Sequence, residues 1–406
     1  MPSSTNKIST LALLLSSATT CLCTPYNSLP TSNSSFNWTT TPPLLGTNLG
    51  GWLVQESTID NTFWSTNSPS NLTTTVPDEW TLCALLGPTC PSVFEERYET
   101  FITESDIDDL AAAGVNLLRI PTTYAAWIEL PGSKLYSGSQ KVHLRRISEY
   151  AIQRYAMHII IDVHSLPGGL NGLTIGEAVG HWGWFFNETA WDYSLDVIES
   201  VLDFIEGSSQ SPGSFTLEPM NEPADRNMDL PEGLGMAVFG TPEALSDEGA
   251  GYVMSFWKAV VERVERRGLG GDVAVMVQSF KLPGYWGTGN FSAGANVVFD
   301  MHNYYFEGRE TTSENLPGFM LSDAQAKSGD GAFPVFVGEW SVQAAFNNTL
   351  GLRERNLRYG LGVWEEYTQG SAYWTAKFEG NASVDGEGSQ KDYWSLGRFI
   401  EEGYLS

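Results

Sequence analysis

Positive charge is scarce in this chain. Its 406 residues include 22 lysines and arginines against 48 acids, a formal net charge of −26. Such a field repels a phosphate backbone, which excludes nucleic acid as a partner. Long apolar runs are missing too. Past the first residues no segment approaches 18 unbroken apolar positions, so no membrane anchor is expected. Neither G-x-G-x-x-G nor a phosphate loop occurs, which argues against an open doubly wound sheet. No G-x-S-x-G elbow occurs either, which argues against a serine hydrolase. No pair of histidines or cysteines has ligand spacing, so neither a metal nor any other cofactor is expected. Internal repeats and composition breaks that would split the chain are also absent.

Cysteine is nearly absent, with four in all. Cys21 and Cys23 fall in an opening stretch where Lys7 is the only charge and Ile8 to Ala18 run apolar before small residues. That pattern predicts a secretory signal peptide over about residues 1–23, cut between Ala18 and Cys23. Cys83 and Cys90 remain and bracket Gly87-Pro88, a turn signal. In an oxidising compartment they are expected to form a disulfide closing a small surface loop. Sequons at Asn33, Asn37, Asn71, Asn187, Asn290, Asn347 and Asn381 are candidates for glycosylation. Together these features predict a secreted, extracellular glycoprotein. Residues 24–42, rich in Ser, Thr, Asn and Pro, read as a flexible lead-in.

Organised sequence begins near residue 43, and 43–406 read as one domain. Leu44 to Leu53 suggest a first strand with glycines where backbone packs closely. Residues 60–100 read as an insertion of turns and short helix. Thr103-Glu104-Ser105-Asp106 has capping-box spacing and opens a helix. Buried strands follow at Val115–Ile120, Ile159–Val163, Phe215–Glu218, Val273–Val277, Val297–Met301, Pro334–Gly338 and Ser371–Thr375. Helices are expected between them near 142–156, 191–206, 246–267 and 350–368, and an amphipathic stretch from Trp394 to Glu402 closes the chain. Eight apolar strands alternating with helices predict a single α/β domain, a (β/α)8 TIM barrel with loop insertions.

In such a barrel the carboxyl ends of the strands converge on one pocket. Those ends offer Glu56, Arg119, His164, Asn221 with Glu222, His302 with Tyr304, Glu339 and Trp374. Glu222 stands where Asn221-Glu222-Pro223 stops a strand, and Pro223 biases it away from the helical region. Glu339 stands likewise at the end of a second apolar strand. Two such acids facing one another suit the hydrolysis of a glycosidic bond.

Asn48-Leu49-Gly50-Gly51-Trp52-Leu53, Leu118-Arg119-Ile120-Pro121, Asp162-Val163-His164, Asn221-Glu222-Pro223, His302-Asn303-Tyr304 and Gly338-Glu339-Trp340 occur in that order, one per strand. This set resembles glycoside hydrolase family 5 of clan A, its fungal exo-β-1,3-glucanase branch above all, over roughly residues 44–400. The resemblance implies a retaining mechanism with Glu222 as acid/base and Glu339 as nucleophile. It implies that Asn221 meets the sugar 2-hydroxyl and that Glu56, His164 and His302 meet other hydroxyls. Arg119 and Tyr304 would hold Glu339 ionised, and Trp374 would give the sugar a flat platform. The substrate would be a carbohydrate, a β-glucan or β-glucoside, and the expected activity is an exo-acting glucan 1,3-β-glucosidase, monomeric and at or near a cell wall.

Leu173 departs from that branch, because similar exo-glucanases place an entrance phenylalanine there. Gly168 to Leu173 and His302 to Gly308 look more like rutinosidase-type diglycosidases, which release a 6-O-rhamnosyl-glucose unit from flavonoids. That is the alternative substrate. A carbohydrate-binding protein without catalysis is the distant one, and intact Glu222 and Glu339 speak against it.

Overall fold

A computed structural model describes residues 36–68, 76–225, 240–286, 290–292 and 294–405. The signal peptide expected over residues 1–23 and the sequons at Asn33 and Asn71 lie outside these. Eight strands form a closed barrel in sequence order, each parallel to the next. They are β1 (Leu44–Asn48), β2 (Leu117–Thr122), β3 (His158–Val163) and β4 (Phe215–Glu218), then β5 (Ala274–Gln278), β6 (Val297–Tyr305), β7 (Val335–Ala344) and β8 (Gly370–Tyr373). β8 closes on β1 with Leu44 opposite Gly370. Runs such as Ile159-Ile160-Ile161 suit this sheet because both of its faces are covered, and every residue of β3 is buried.

Helices α1 (Asn61–Asn67), α2 (Glu79–Leu86) and α3 (Cys90–Thr100) make up the insertion before the regular alternation. The outer ring continues with α4 (Glu104–Ala112), α5 (Gln140–Tyr155), α6 (Glu188–Glu206) and α7 (Asp247–Arg266), followed by the short α8 (Pro283–Trp286). Then come α9 (Leu316–Lys327), α10 (Arg353–Tyr367), α11 (Gln390–Trp394) and α12 (Leu396–Glu401). The Thr103/Asp106 capping box is present at the start of α4. In α6 the buried Ile198, Val201, Leu202 and Ile205 recur at helical spacing, which turns one apolar stripe toward the barrel. No described helix is long and apolar enough to cross a membrane.

Cys83 and Cys90 form the expected disulfide between α2 and α3, with a Cα–Cα distance of 5.1 Å. Closing so short a loop is worth about 2–3 kcal/mol on a chain-entropy basis. Asn37, Asn187, Asn347 and Asn381 are exposed and Asn290 is half-buried.

Three readings need correction. The lead-in over 24–42 is not loose from Phe36 onward. Trp38 is buried in the barrel floor, where its indole N–H donates to Thr216 at 2.9 Å. Phe36 stacks on His158 at 3.5 Å between centroids. Burial drives the His158 pKa down to about 3, so a neutral ring shares Thr216 with Trp38. Polar composition concealed one indole able to plug the floor. Second, β1 ends at Asn48 rather than Leu53. Third, β6 and β7 run past Met301 and Gly338, because their polar residues pair across the rim, His302 opposite Glu339 and Asn303 opposite Trp340.

The first turn of α2 holds a buried acid. Glu79 Oε2 accepts the Gln55 N–H at 2.9 Å, while Oε1 is enclosed without a partner among the described residues. Burial pushes its pKa from 4.5 to about 8. The folded chain thus keeps a proton that the unfolded chain has released. Stability is full below about pH 4.5, falls as pH rises toward 8 and then levels off. The expected loss is on the order of 5 kcal/mol for the shift of Glu79 from 4.5 to about 8. Glu79→Gln imitates the neutral form and should flatten that part of the curve. Denaturant midpoints of both proteins from pH 4.5 to 8.5 check this; parallel curves would dismiss it.

Candidate active site

Arg119 sits in β2 with its side chain fully enclosed. Such a cation must be paired, and its donors are engaged on several sides. Nε and Nη2 form a fork on Glu218 at 2.7 and 3.0 Å. Nη2 also reaches Asn221 Oδ1 at 2.8 Å and Asp162 at 3.0 Å. Nη1 bonds Glu339 Oε1 at 2.8 Å and Asn48 Oδ1 at 3.0 Å. One guanidinium therefore links side chains of β1, β2, β3, β7 and the end of β4.

The residues singled out from sequence do converge. Tyr304 donates to Glu339 Oε2 at 2.6 Å. Burial beside Glu339 pushes this phenol well above its usual pKa, so it remains a donor. His302 stands between the two acids, Nδ1 being 2.7 Å from Glu222 Oε1 and 3.4 Å from Glu339 Oε2. One oxygen of each acid and a nitrogen of His302 all lie within 4.8 Å of one another. Trp374 stacks on His164 at 5.8 Å, and a Cβ at Gly50 would meet its ring at 2.9 Å. His164 Nδ1 is fixed by Asp162 at 2.6 Å, and the Asn221 amide nitrogen lies 3.3 Å from Nε2. Glu56 is half-buried with one oxygen enclosed and unpaired among the described residues. Burial pushes its pKa to about 7 against the pull of His164.

Glu222 holds to the expectation set by Pro223, but in an unforeseen conformation. It avoids the right-handed helical region, as Pro223 requires, by taking φ +49°. For a residue with a Cβ that left-handed conformation costs about 1–3 kcal/mol. His302 also differs, since both ring nitrogens are engaged by carboxylates, Nε2 lying 3.1 Å from Asp300. Burial opposes its charge, but Glu339 and Asp300 outweigh that and hold its pKa well above the usual histidine value.

Sequence reasoning gave no role to Glu218, Asp300, Gln278 or Asn48. A signal existed: an acid inside an apolar parallel strand, as in Val298-Phe299-Asp300-Met301, needs a buried partner. Asp300 bonds the Gly338 N–H at 2.5 Å, and a Cβ at Gly338 would meet Asp300 at 2.1 Å. That approach and the irregular register beside it set His302 opposite Glu339. Burial lifts the Glu218 pKa well above its usual value against the pull of Arg119. It also lifts Glu339, although His302 and Arg119 oppose it. Buried carboxylates thus outnumber permanent cations here, which favours the protonated forms of Glu218 and Glu339, whereas, against the lift of burial, His302 and Arg119 hold the Asp300 pKa below its usual value.

The absence of ligand spacing along the chain did not foresee two groupings, Glu218–Asp300–His302 and Glu222–His302–Glu339, whose atoms lie within metal-ligand reach of one another. Hydrogen bonds inside the network already occupy these atoms. Surface hollows of about 270 Å³ beside the disulfide and 570 Å³ between α5 and α6 carry no paired carboxylates.

The family model for cellulase (glycosyl hydrolase family 5) matches residues 87–380. The chain belongs to glycosyl hydrolase family 5. It is an O-glycosyl hydrolase, built on the family's closed barrel. A rutinosidase from Aspergillus niger superposes with a TM-score of 0.86 at 56% identity, covering 92% of this chain and 100% of that one. Glucan 1,3-beta-glucosidase 1 of Schizosaccharomyces pombe is 28% identical over 319 residues, 76% of this chain and 70% of that protein. Probable glucan 1,3-beta-glucosidase A of Aspergillus fumigatus is 28% identical over 300 residues, 73% of this chain and 64% of that protein.

Proposed function

We propose that this family 5 enzyme is a retaining diglycosidase of the rutinosidase type, which cleaves flavonoid β-rutinosides and releases the intact disaccharide. One observation carries the choice of substrate. Identity to the Aspergillus niger rutinosidase is 56% over 92% of the chain, against 28% to the glucan glucosidases. That likeness reverses the order in which the sequence ranked the two substrates. Exo-hydrolysis of β-1,3-glucan is the second reading, favoured by the glucan 1,3-beta-glucosidases among the relatives.

In this reading Glu339 attacks the anomeric carbon while Glu222 gives its proton to the departing aglycone oxygen. The C–O bond breaks and a glycosyl ester forms on Glu339. Water then attacks the ester, Glu222 takes the water proton, and Glu339 leaves as carboxylate. The short gap between the two acids supports a double displacement, since it lets Glu339 rather than a water attack the face opposite the leaving group, and about 5–5.5 Å is usual for that. Arg119 and Tyr304 donate to both oxygens of Glu339, which favours the carboxylate against the lift of burial. His302, engaged at both nitrogens, serves the two acids rather than a sugar hydroxyl. Among the described residues the Asn221 amide nitrogen contacts only His164, which leaves a hydrogen for the 2-hydroxyl, while Glu56, His164 and Trp374 bound the first subsite. The signal-like leader, the disulfide and the exposed sequons support a secreted, extracellular enzyme.

The test compares rutin with laminarin at equal enzyme. Intact rutinose from rutin, with kcat/KM at least about tenfold above that for laminarin, is expected. Glucose from laminarin with rutin untouched would establish the second reading instead.

A further inference from the structure

Glu222 is held at both ends of its own main chain by side chains from other elements. Its N–H donates to Gln278 Oε1 at 2.5 Å, and its carbonyl accepts from Asn171 Nδ2 at 3.1 Å. Gln278 and Asn171 are both fully buried. The bond to Glu222 is the only hydrogen bond of the Gln278 side chain among the described residues, and Nε2 is enclosed without a partner. A buried amide half unsatisfied is a poor packing choice, since an apolar side chain of equal volume avoids the desolvation. The acceptor oxygen is what this position supplies. Asn171 is itself braced, because its Oδ1 accepts the Leu173 N–H at 3.0 Å and a Cβ at Gly176 would meet that oxygen at 2.4 Å.

We propose that Gln278 and Asn171 are positioning residues that lock Glu222 in its left-handed conformation and so aim its carboxyl at the leaving oxygen. Pro223 and a positive φ leave Glu222 without help from regular secondary structure. Rotation about either flanking peptide would swing the carboxyl away from the glycosidic oxygen. His302 grips only the end of the side chain and cannot correct a displaced main chain. The inference rests on the reading of Glu222 as acid/base, and it concerns only the steps in which that proton moves.

Leaving groups separate this role from a merely structural one. Gln278→Met keeps the volume and removes the acceptor; Gln278→Glu keeps an acceptor oxygen. kcat/KM is measured for both, with Glu222→Ala as reference, on aryl β-rutinosides, or on aryl β-glucosides if laminarin proves the substrate. Gln278→Met should lose roughly 10–100-fold on phenols that leave poorly and under about threefold on dinitrophenol, which needs no proton. Azide should partly restore its turnover, as for Glu222→Ala, and Gln278→Glu should keep the wild-type dependence on leaving group. If Gln278→Met fails to fold, Asn171→Ala loosens the opposite anchor and is read in the same way. An equal loss on every leaving group, or none, overturns the positioning role while Glu222→Ala still shows the steep dependence. If Glu222→Ala itself shows no such dependence, the acid/base reading falls and the inference with it.

Discussion

Replacing Glu339 with glutamine is expected to lower turnover by roughly 10⁴-fold or more while leaving the fold intact. Glutamine keeps the volume and can still accept from Arg119, so the barrel top does not collapse. It cannot form the glycosyl ester. Arg119 is not left bare, because Glu218 and Asp162 remain within 3.0 Å. Taking one acid from a pocket rich in buried carboxylates also relieves repulsion, so the variant should melt at or above the wild-type temperature. Turnover above about 1% of wild type would remove Glu339 from the nucleophile's role.

Arg119→Met is expected to cost about 3–5 kcal/mol of stability and all measurable activity. Its guanidinium lies between Glu218, Asp162 and Glu339, with Asp300 at 3.9 Å. Methionine fills much of the space but leaves these acids without their permanent cation. They must then bind protons or draw in water, and either disturbs Glu339. The double variant Arg119→Met with Glu218→Met removes both halves of the forked pair. Packing an apolar pair in that space should recover part of the stability and none of the activity. Denaturant midpoints for the two variants, with residual turnover, decide the matter. A single variant as stable as wild type would mean that the acids were protonated already and Arg119 carried little of the load.

The alternation of strands and helices was legible because parallel strands buried on both faces leave continuous apolar runs. The candidate site residues at strand ends, which the closed barrel brings together, stood out for the same reason, since polar groups such as His164 and Glu222 interrupt those runs abruptly. Glu218 and Asp300 were passed over because an acid inside a strand reads as an exception until its cation is known. Trp38 was missed because the few aromatics of a polar stretch form no sustained apolar period to betray it. The extent of β6 and β7 was misjudged because residues that pair beyond the rim need not be apolar.

From sequence alone came the barrel, the family and the two acids, since these depend on local periodicity and on residue types at successive strand ends. Only the tertiary structure decided that Arg119 joins five elements, that His302 stands between Glu222 and Glu339, and that Glu222 is held in a left-handed turn by Gln278 and Asn171. Closing the barrel sets inter-strand register and brings together side chains far apart in the chain. Distances of a few ångströms between them are properties of that closure, and no spacing along the chain encodes them.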